Sequence, residues 1–179
     1  MRIIYALTAA LVLSACGLPP VNRSGDVPIG PVAQVEIARY AGKWFEIARL
    51  PNGFEENCEG VTAEYTSRPD GRITVLNTCR QGSPSGEARA QEGVARIVDT
   101  ATNAKLKVSF GGPFEGDYWV LDRAEDYSWS LVGEPSGRFL WILARAPTIP
   151  DSTRENLLGR LQARGYDTAK LTWTQQPPG

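Results

Sequence analysis

From residue 43 to residue 145 the sequence is a succession of short runs with period-two alternation or β-branched enrichment, cut by Gly, Pro, Asn and Asp clusters at fairly even spacing. The runs fall at 43–50, 59–67, 72–80, 87–99, 105–110, 116–122, 127–132 and 138–145. "RPDGR" at 68–72 is the clearest turn, with Pro69 presetting φ and Gly71 able to take a left-handed conformation. "TATNA" at 100–104, "RAED" at 123–126 and "GEPSGR" at 133–138 are further short links. Links this short join antiparallel neighbours in chain order. Eight strands in up-and-down order either close or leave two edges, and neither terminal strand is charged or broken enough to be a safe edge. The expected fold is all-β, an eight-stranded antiparallel up-and-down β-barrel, with room inside for side chains or for one small ligand. A β-sandwich with a solid core is the alternative that composition leaves open.

One helix follows the strands. Asp151 is a candidate N-cap after Pro150, Glu155 lies near the first turn, Leu157, Leu158 and Leu161 form an apolar stripe, and Gly165 stops it. A short ninth strand, "KLTWT" at 170–174, precedes a Pro-rich end.

The chain contains no histidine, which removes the usual general base, the commonest zinc ligand and the usual haem ligand together. Lys and Arg are scattered singly in a chain of formal net charge -1, so there is no footprint for a phosphate backbone and no nucleic-acid partner is expected. Neither a metal nor a cofactor is called for.

"MRIIYALTAALVLSAC" has one Arg, an apolar stretch from Ile3 to Leu13 and small residues at its end, the layout of a secretory signal too short to cross a bilayer. Leu13-Ser14-Ala15-Cys16 resembles the bacterial lipobox, in which cleavage before the Cys is coupled to its acylation. Residues 1–15 then form a lipoprotein signal peptide. Several acyl chains on Cys16 would anchor stably where one alone is marginal. By the same resemblance Gly17, rather than Asp, after the Cys implies the outer membrane. Residues 16–31, "CGLPPVNRSGDVPIGP", are rich in Pro and Gly and read as the acylated Cys and a flexible tether, leaving 32–179 as one domain.

Four motifs in order, "RYAGKWFEIARLP" at 39–51, "LKVSFGGPFEGDYWVLD" at 106–122, "LDRAEDY" at 121–127 and "FLWILARAPTIP" at 139–150, resemble the lipocalins, and within them the bacterial outer-membrane lipoprotein branch related to apolipoprotein D. The resemblance spans about Val32 to Pro177. It implies that Trp44 plugs the closed end of the barrel with Arg145 across its ring, a contact worth roughly 0.5–2 kcal/mol when partly desolvated. Gly42 permits the tight turn that brings the indole inward. The "Asp126-Tyr127" turn belongs at the same end.

With Trp44 inward, alternation puts Glu46 and Ala48 on the inner side of the first strand, and Arg145 places Trp141 and Leu143 likewise. Matching patterns elsewhere add Val75, Asn77, Leu106, Val108, Phe110, Tyr118 and Val120 as candidate ligand-lining residues. These are mostly apolar with a few polar groups, as a pocket for a long apolar ligand with a head group requires, although the same residues could pack a filled core. Loops 51–58, 81–86, 111–116 and 133–137 would ring the open end, with Phe54 and Phe114 as an apolar rim or as ordinary loop anchors. A carboxylate inside, Glu46, needs a partner or a proton, from a nearby Tyr or an Arg near the floor.

Acylation of Cys16 leaves Cys58 and Cys79, an even pair that an oxidising compartment favours as a disulfide. The register set by the 68–72 turn opposes this, because it places Cys79 across from Val61, about 10 Å along the strand from Cys58. A bulge would remove the conflict. The resemblance implies a membrane-anchored binding protein and not an enzyme, with a fatty acid or lysophospholipid as ligand and a role in membrane maintenance. Two alternatives stand beside it: a structural lipoprotein with a filled barrel, and a lipid-modifying enzyme using Glu46 with Asp117 or Tyr118. A homodimer is left open.

Overall fold

The computed structural model describes residues 20–178 apart from 26, 32 and 33. The expected signal segment, Cys16 and Gly17 lie outside the described residues. Eight strands run β1 (Gly42–Arg49), β2 (Cys58–Ser67), β3 (Ile73–Gln81), β4 (Ala88–Ile97), β5 (Lys105–Ser109), β6 (Gly116–Arg123), β7 (Trp129–Gly133) and β8 (Leu140–Ala144). Each pairs antiparallel with the next, and β1 pairs with both β8 and β2, so the sheet closes into the expected barrel rather than a sandwich. A one-turn helix α1 (Ile37–Tyr40) precedes β1, and α2 (Asp151–Ala163) and a two-residue β9 (Thr172–Trp173) follow β8.

Two departures from the expected boundaries have local causes. Tyr127 adopts φ 62°, so it closes the turn and β7 starts at Trp129. The N-cap of α2 is Pro150 and not Asp151, which sits in the first turn and complements the helix dipole without making a side-chain cap. Its other end is as expected: Gly165 at φ 82° allows Gly165 N to donate to Gln162 O and Tyr166 N to Leu161 O, a Schellman stop.

Two apolar clusters lie either side of the barrel wall. The inner one runs from Trp44 through Tyr65, Ile73, Ala95, Leu106 and Val120 to Leu143. The outer one seats Leu157 and Leu161 of α2 on Leu121, Leu131, Ile142 and Ala144. Asp122 clamps the helix from the wall, accepting from Arg160 at 3.1 Å and Arg164 at 2.9 Å.

Beyond Phe45↔Thr62 the β1–β2 ladder ends, and the C-terminal tail fills the seam above it. Thr174 N donates to Ile47 O, Gly60 N to Gln175 O, and the Gln176 amide to both Glu46 O and Val61 O. The other terminus is also held. Asn22 N donates to Gly137 O, Ser24 N to Gly165 O, and Asp167 N to Asn22 O. Residues 22–24, inside the segment expected as a tether, therefore lie against the barrel beside the β7–β8 loop.

Candidate functional site

The barrel has one sealed end. Arg145 follows β8 and lies 3.8 Å from the Trp44 ring centroid, while its guanidinium donates to Lys43 O at 2.8 Å, Arg39 O at 2.6 Å and Ala41 O at 2.9 Å. Trp44 Nε1 donates to Tyr40 O at 2.8 Å, so the indole is fully buried without an orphaned proton. Gly42 turns at φ 89° immediately below the guanidinium, a backbone conformation a Cβ would strain. Tyr127 completes this end, sandwiched between the Arg39 and Arg123 guanidiniums at 4.3 Å each, its hydroxyl accepting from Glu36 N.

Above the floor, Tyr65, Tyr118, Tyr40 and Ser130 form a chain of hydroxyls across the barrel, with contacts of 2.8, 2.8 and 3.1 Å. Ser130 Oγ donates to Asp122 O. With one proton per hydroxyl, only one order then works: Tyr65 donates to Tyr118, Tyr118 to Tyr40, and Tyr40 to Ser130. Every hydroxyl proton is then committed within the chain, so its open capacity is acceptor only. Burial raises all three phenols, Tyr40 to about 12, so they remain neutral hydrogen-bonding groups at ordinary pH. Beneath them is an apolar cavity of about 20 Å³, room for roughly one water, lined in part by Ile37, Ile73, Ala95 and Val108.

The interior changes character above Gly93. On β3 and β4 the alternation of buried and exposed residues stops: Leu76 to Gln81 are only half-buried and Ala88 to Glu92 are exposed on both faces. A filled barrel would bury the inward set, Asn77, Cys79, Arg89 and Gln91, so the upper interior is open to solvent. Phe110 follows β5 and lies across Gly93, where a Cβ would come within 2.7 Å of its ring, and it is 39 % exposed.

Glu46 sits on the inner face at the β1–β2 seam, 2 % exposed. Its partner is Arg49, at 2.7 Å, and Thr174 Oγ1 also donates to it. A bulge in β1 between Glu46 and Ala48 makes this pair: it turns Ala48 outward, beneath the wall cluster, and Arg49 inward. The parity that placed Ala48 inside fails at that one residue. Arg49 further donates to Glu55 O and Cys58 O, and its Nε is 3.9 Å from Glu55 Oε2, which accepts from Trp141 Nε1 at 3.0 Å and Asn52 Nδ2 at 2.6 Å. Burial, and then the nearby Glu55 carboxylate, push the Glu46 carboxyl up to about 8 despite Arg49.

The ten expected lining residues all have inward register, in two layers. Val75, Leu106, Val108, Val120 and Leu143 belong to the packed lower layer with Tyr118; Glu46, Asn77, Phe110 and Trp141 face the upper one. Arg49 and the 53–55 turn complete the upper layer and were not among them. Asp117 bonds Lys107 at 2.9 Å on the outer wall, on the opposite face of β6 from Tyr118, so the grouping of Glu46 with Asp117 does not form. At the rim Phe54 is 66 % and Phe114 84 % exposed, and Phe54 leans on Phe139 and Trp141, which stack 6.0 Å apart.

Cys58 and Cys79 are bonded, with Cα atoms 5.3 Å apart. The 68–72 turn keeps the expected register up to Thr62↔Thr78, and a bulge between Glu59 and Thr62, with Gly60 at φ 55°, then slips it by one residue and coils the strand. That irregularity brings the diagonal pair together.

An eight-stranded barrel sealed by a Trp–Arg pair at one end, open at the other and flanked by one C-terminal helix defines a lipocalin. The chain belongs to that family: residues 35–176 match the lipocalin-like domain. It is 40 % identical over 179 residues to the outer membrane lipoprotein Blc of Vibrio cholerae, covering 98 % of this chain and 99 % of that one. The outer membrane lipoprotein Blc of Escherichia coli is 39 % identical, covering 99 % and 97 %. Mouse apolipoprotein D is 33 % identical, covering 92 % and 84 %. Among solved structures insecticyanin from the tobacco hornworm Manduca sexta has a TM-score of 0.68 at 22 % identity, covering 84 % and 85 %, a likeness of fold. Lipocalins are in general binding proteins for small hydrophobic ligands rather than enzymes.

Proposed function

We propose that this chain is a membrane-anchored carrier that holds a fatty acid or lysophospholipid in the upper half of its barrel. The observation that carries the reading is the loss of alternating burial on β3 and β4 above Gly93, which an interior packed to the rim would not show. Phe110, Trp141 and Phe139 supply apolar wall for an acyl chain; Asn77, Gln91 and Arg89 supply polar contacts. The tyrosine chain below offers acceptors to a ligand hydroxyl or ammonium. Burial of ten methylenes at ~0.8 kcal/mol each suffices for micromolar affinity after the costs of ordering.

Acylation at Cys16, with Gly17 following, supports attachment to the outer membrane, as do relatives that carry the name outer membrane lipoprotein. Residues 1–15 would be removed as the signal peptide. Storage or delivery of lipid for membrane maintenance fits that position. The filled-barrel reading has one observation in its favour, the tightness of the lower half, whose enclosed space is only about 20 Å³. Mass analysis of lipid extracted from the purified full chain, with binding of oleate followed by tryptophan emission, separates the two. Stoichiometric lipid with saturable quenching is expected; no co-purifying lipid and no response to oleate would leave the filled barrel.

A further inference from the structure

Which end of the barrel meets the membrane is decided by where the N-terminal segment leaves it. Val35 is fixed at the sealed end, its N–H donating to Thr102 O in the β4–β5 turn. Upstream, Ile29 packs among the outer cluster, and Asn22 N reaches Gly137 O in the β7–β8 loop of the open end. Arg23 locks the crossing: its side chain lies against Gly137, its Nε donates to Arg164 O at 2.9 Å, and its main chain bridges Tyr166. Cys16 is six residues before Asn22, a reach of about 20 Å when fully extended.

On this basis, which rests on the acylation of Cys16 proposed above, we infer that the open rim docks on the lipid bilayer, with Phe54 and Phe114 inserted into its interface. The two side chains stand on different loops of the mouth and are the most exposed large apolar groups among the described residues. Their loop tips, Gly53–Phe54 and Gly111–Phe114, contain no ionisable side chain. Glu134, in the adjoining loop, turns its carboxylate inward to accept from Ser136 N, Arg138 N and Phe139 N. Glu115 is paired with Arg96. Exposed Glu56, two residues after Phe54, adds a negative charge, and such a rim suits apolar insertion into a neutral lipid surface rather than attraction to an anionic one. The mouth then opens onto the membrane, and an acyl chain passes between bilayer and barrel without crossing water.

With Cys58 and Cys79 bonded and Cys16 acylated, an introduced cysteine is the one thiol to label. Full-chain Phe54→Cys, Phe114→Cys and Glu125→Cys, the last at the sealed end, each carry an environment-sensitive nitrobenzoxadiazole label and are bound to phosphatidylcholine vesicles containing doxyl-labelled lipid. At 54 and 114 the emission should shift to the blue and be quenched about twofold or more, with little change in 0.5 M salt, while the label at 125 stays water-like. Quenching at 125 instead, or water-like emission at all three, overturns the inference. So does a blue shift at 54 and 114 without doxyl quenching, because a second copy of the chain would then cover the rim. Thermal unfolding of each labelled protein verifies the fold. Intact mass of the same samples reports acylation of Cys16, so the anchor and the orientation fail separately.

Discussion

The two ends of this barrel solve opposite problems with similar residues. At the sealed end an arginine, a tryptophan and several backbone carbonyls satisfy one another, and among the described residues no aromatic ring there is left exposed. At the open end Arg49, Glu46, Glu55 and Trp141 also interlock, yet elsewhere on the mouth the upper part of β4 is wet on both faces and Phe54 and Phe114 stand in solvent. One end is held by packing. The other, left open, is held by a covalent staple, the Cys58–Cys79 bond, and by the C-terminal tail that bridges the β1–β2 seam. An open interior forgoes the burial that would otherwise stabilise its walls.

The largest expected effect is at the floor. Trp44→Ala empties a fully buried indole site and should cost about 3–5 kcal/mol in denaturant unfolding. Loss of the staple in the Cys58→Ala, Cys79→Ala double variant should cost about 3 kcal/mol through loop-closure entropy, and it should raise proteolysis at the mouth before the floor. Arg145→Met retains some apolar cover but strips the floor carbonyls of their donor, with a loss of about 2 kcal/mol. A staple effect exceeding that of Trp44→Ala would reverse the division of labour drawn here.

Smaller effects sharpen the contrast. Glu46 binds its proton more tightly folded than unfolded, so its contribution to stability should be full below pH ~4.5 and fall as the pH rises towards 8, where the folded carboxyl ionises. Glu46→Gln should flatten that slope, seen as a melting temperature that varies by a few degrees less between pH 5 and pH 8. Phe54→Ser should alter stability by less than about 0.5 kcal/mol, as befits an exposed side chain, while weakening oleate binding several-fold. An unchanged affinity would remove Phe54 from the binding surface.

Much of this was legible in the residues. Period-two runs and short turns determined the strand order, because only antiparallel neighbours can be joined by so few residues, and closure followed from the lack of safe edges. Trp44, Gly42 and Arg145 were recognisable from their motifs, and the inward set followed from parity, which holds as long as a strand remains regular. Arg49 escaped because one bulge inverts parity after Glu46. A signal existed: a buried glutamate whose nearest cations, Lys43 and Arg49, are each three residues away on its own strand can pair with either of them only if the strand slips. The same kind of slip at Gly60 joined two cysteines that a regular ladder keeps apart.

What local chemistry determined, then, was the sequence of strands and the helix with its glycine stop, since propensity, turn geometry and alternation act over a few residues; the sealed floor was read from the resemblance of its motifs. Only the tertiary structure decided where two strands bulge, which partner Glu46 takes, how the C-terminal tail fills the seam, and that the N-terminal segment leaves at the mouth. Each of those depends on contacts between residues far apart in the chain, whose free energy no local pattern records.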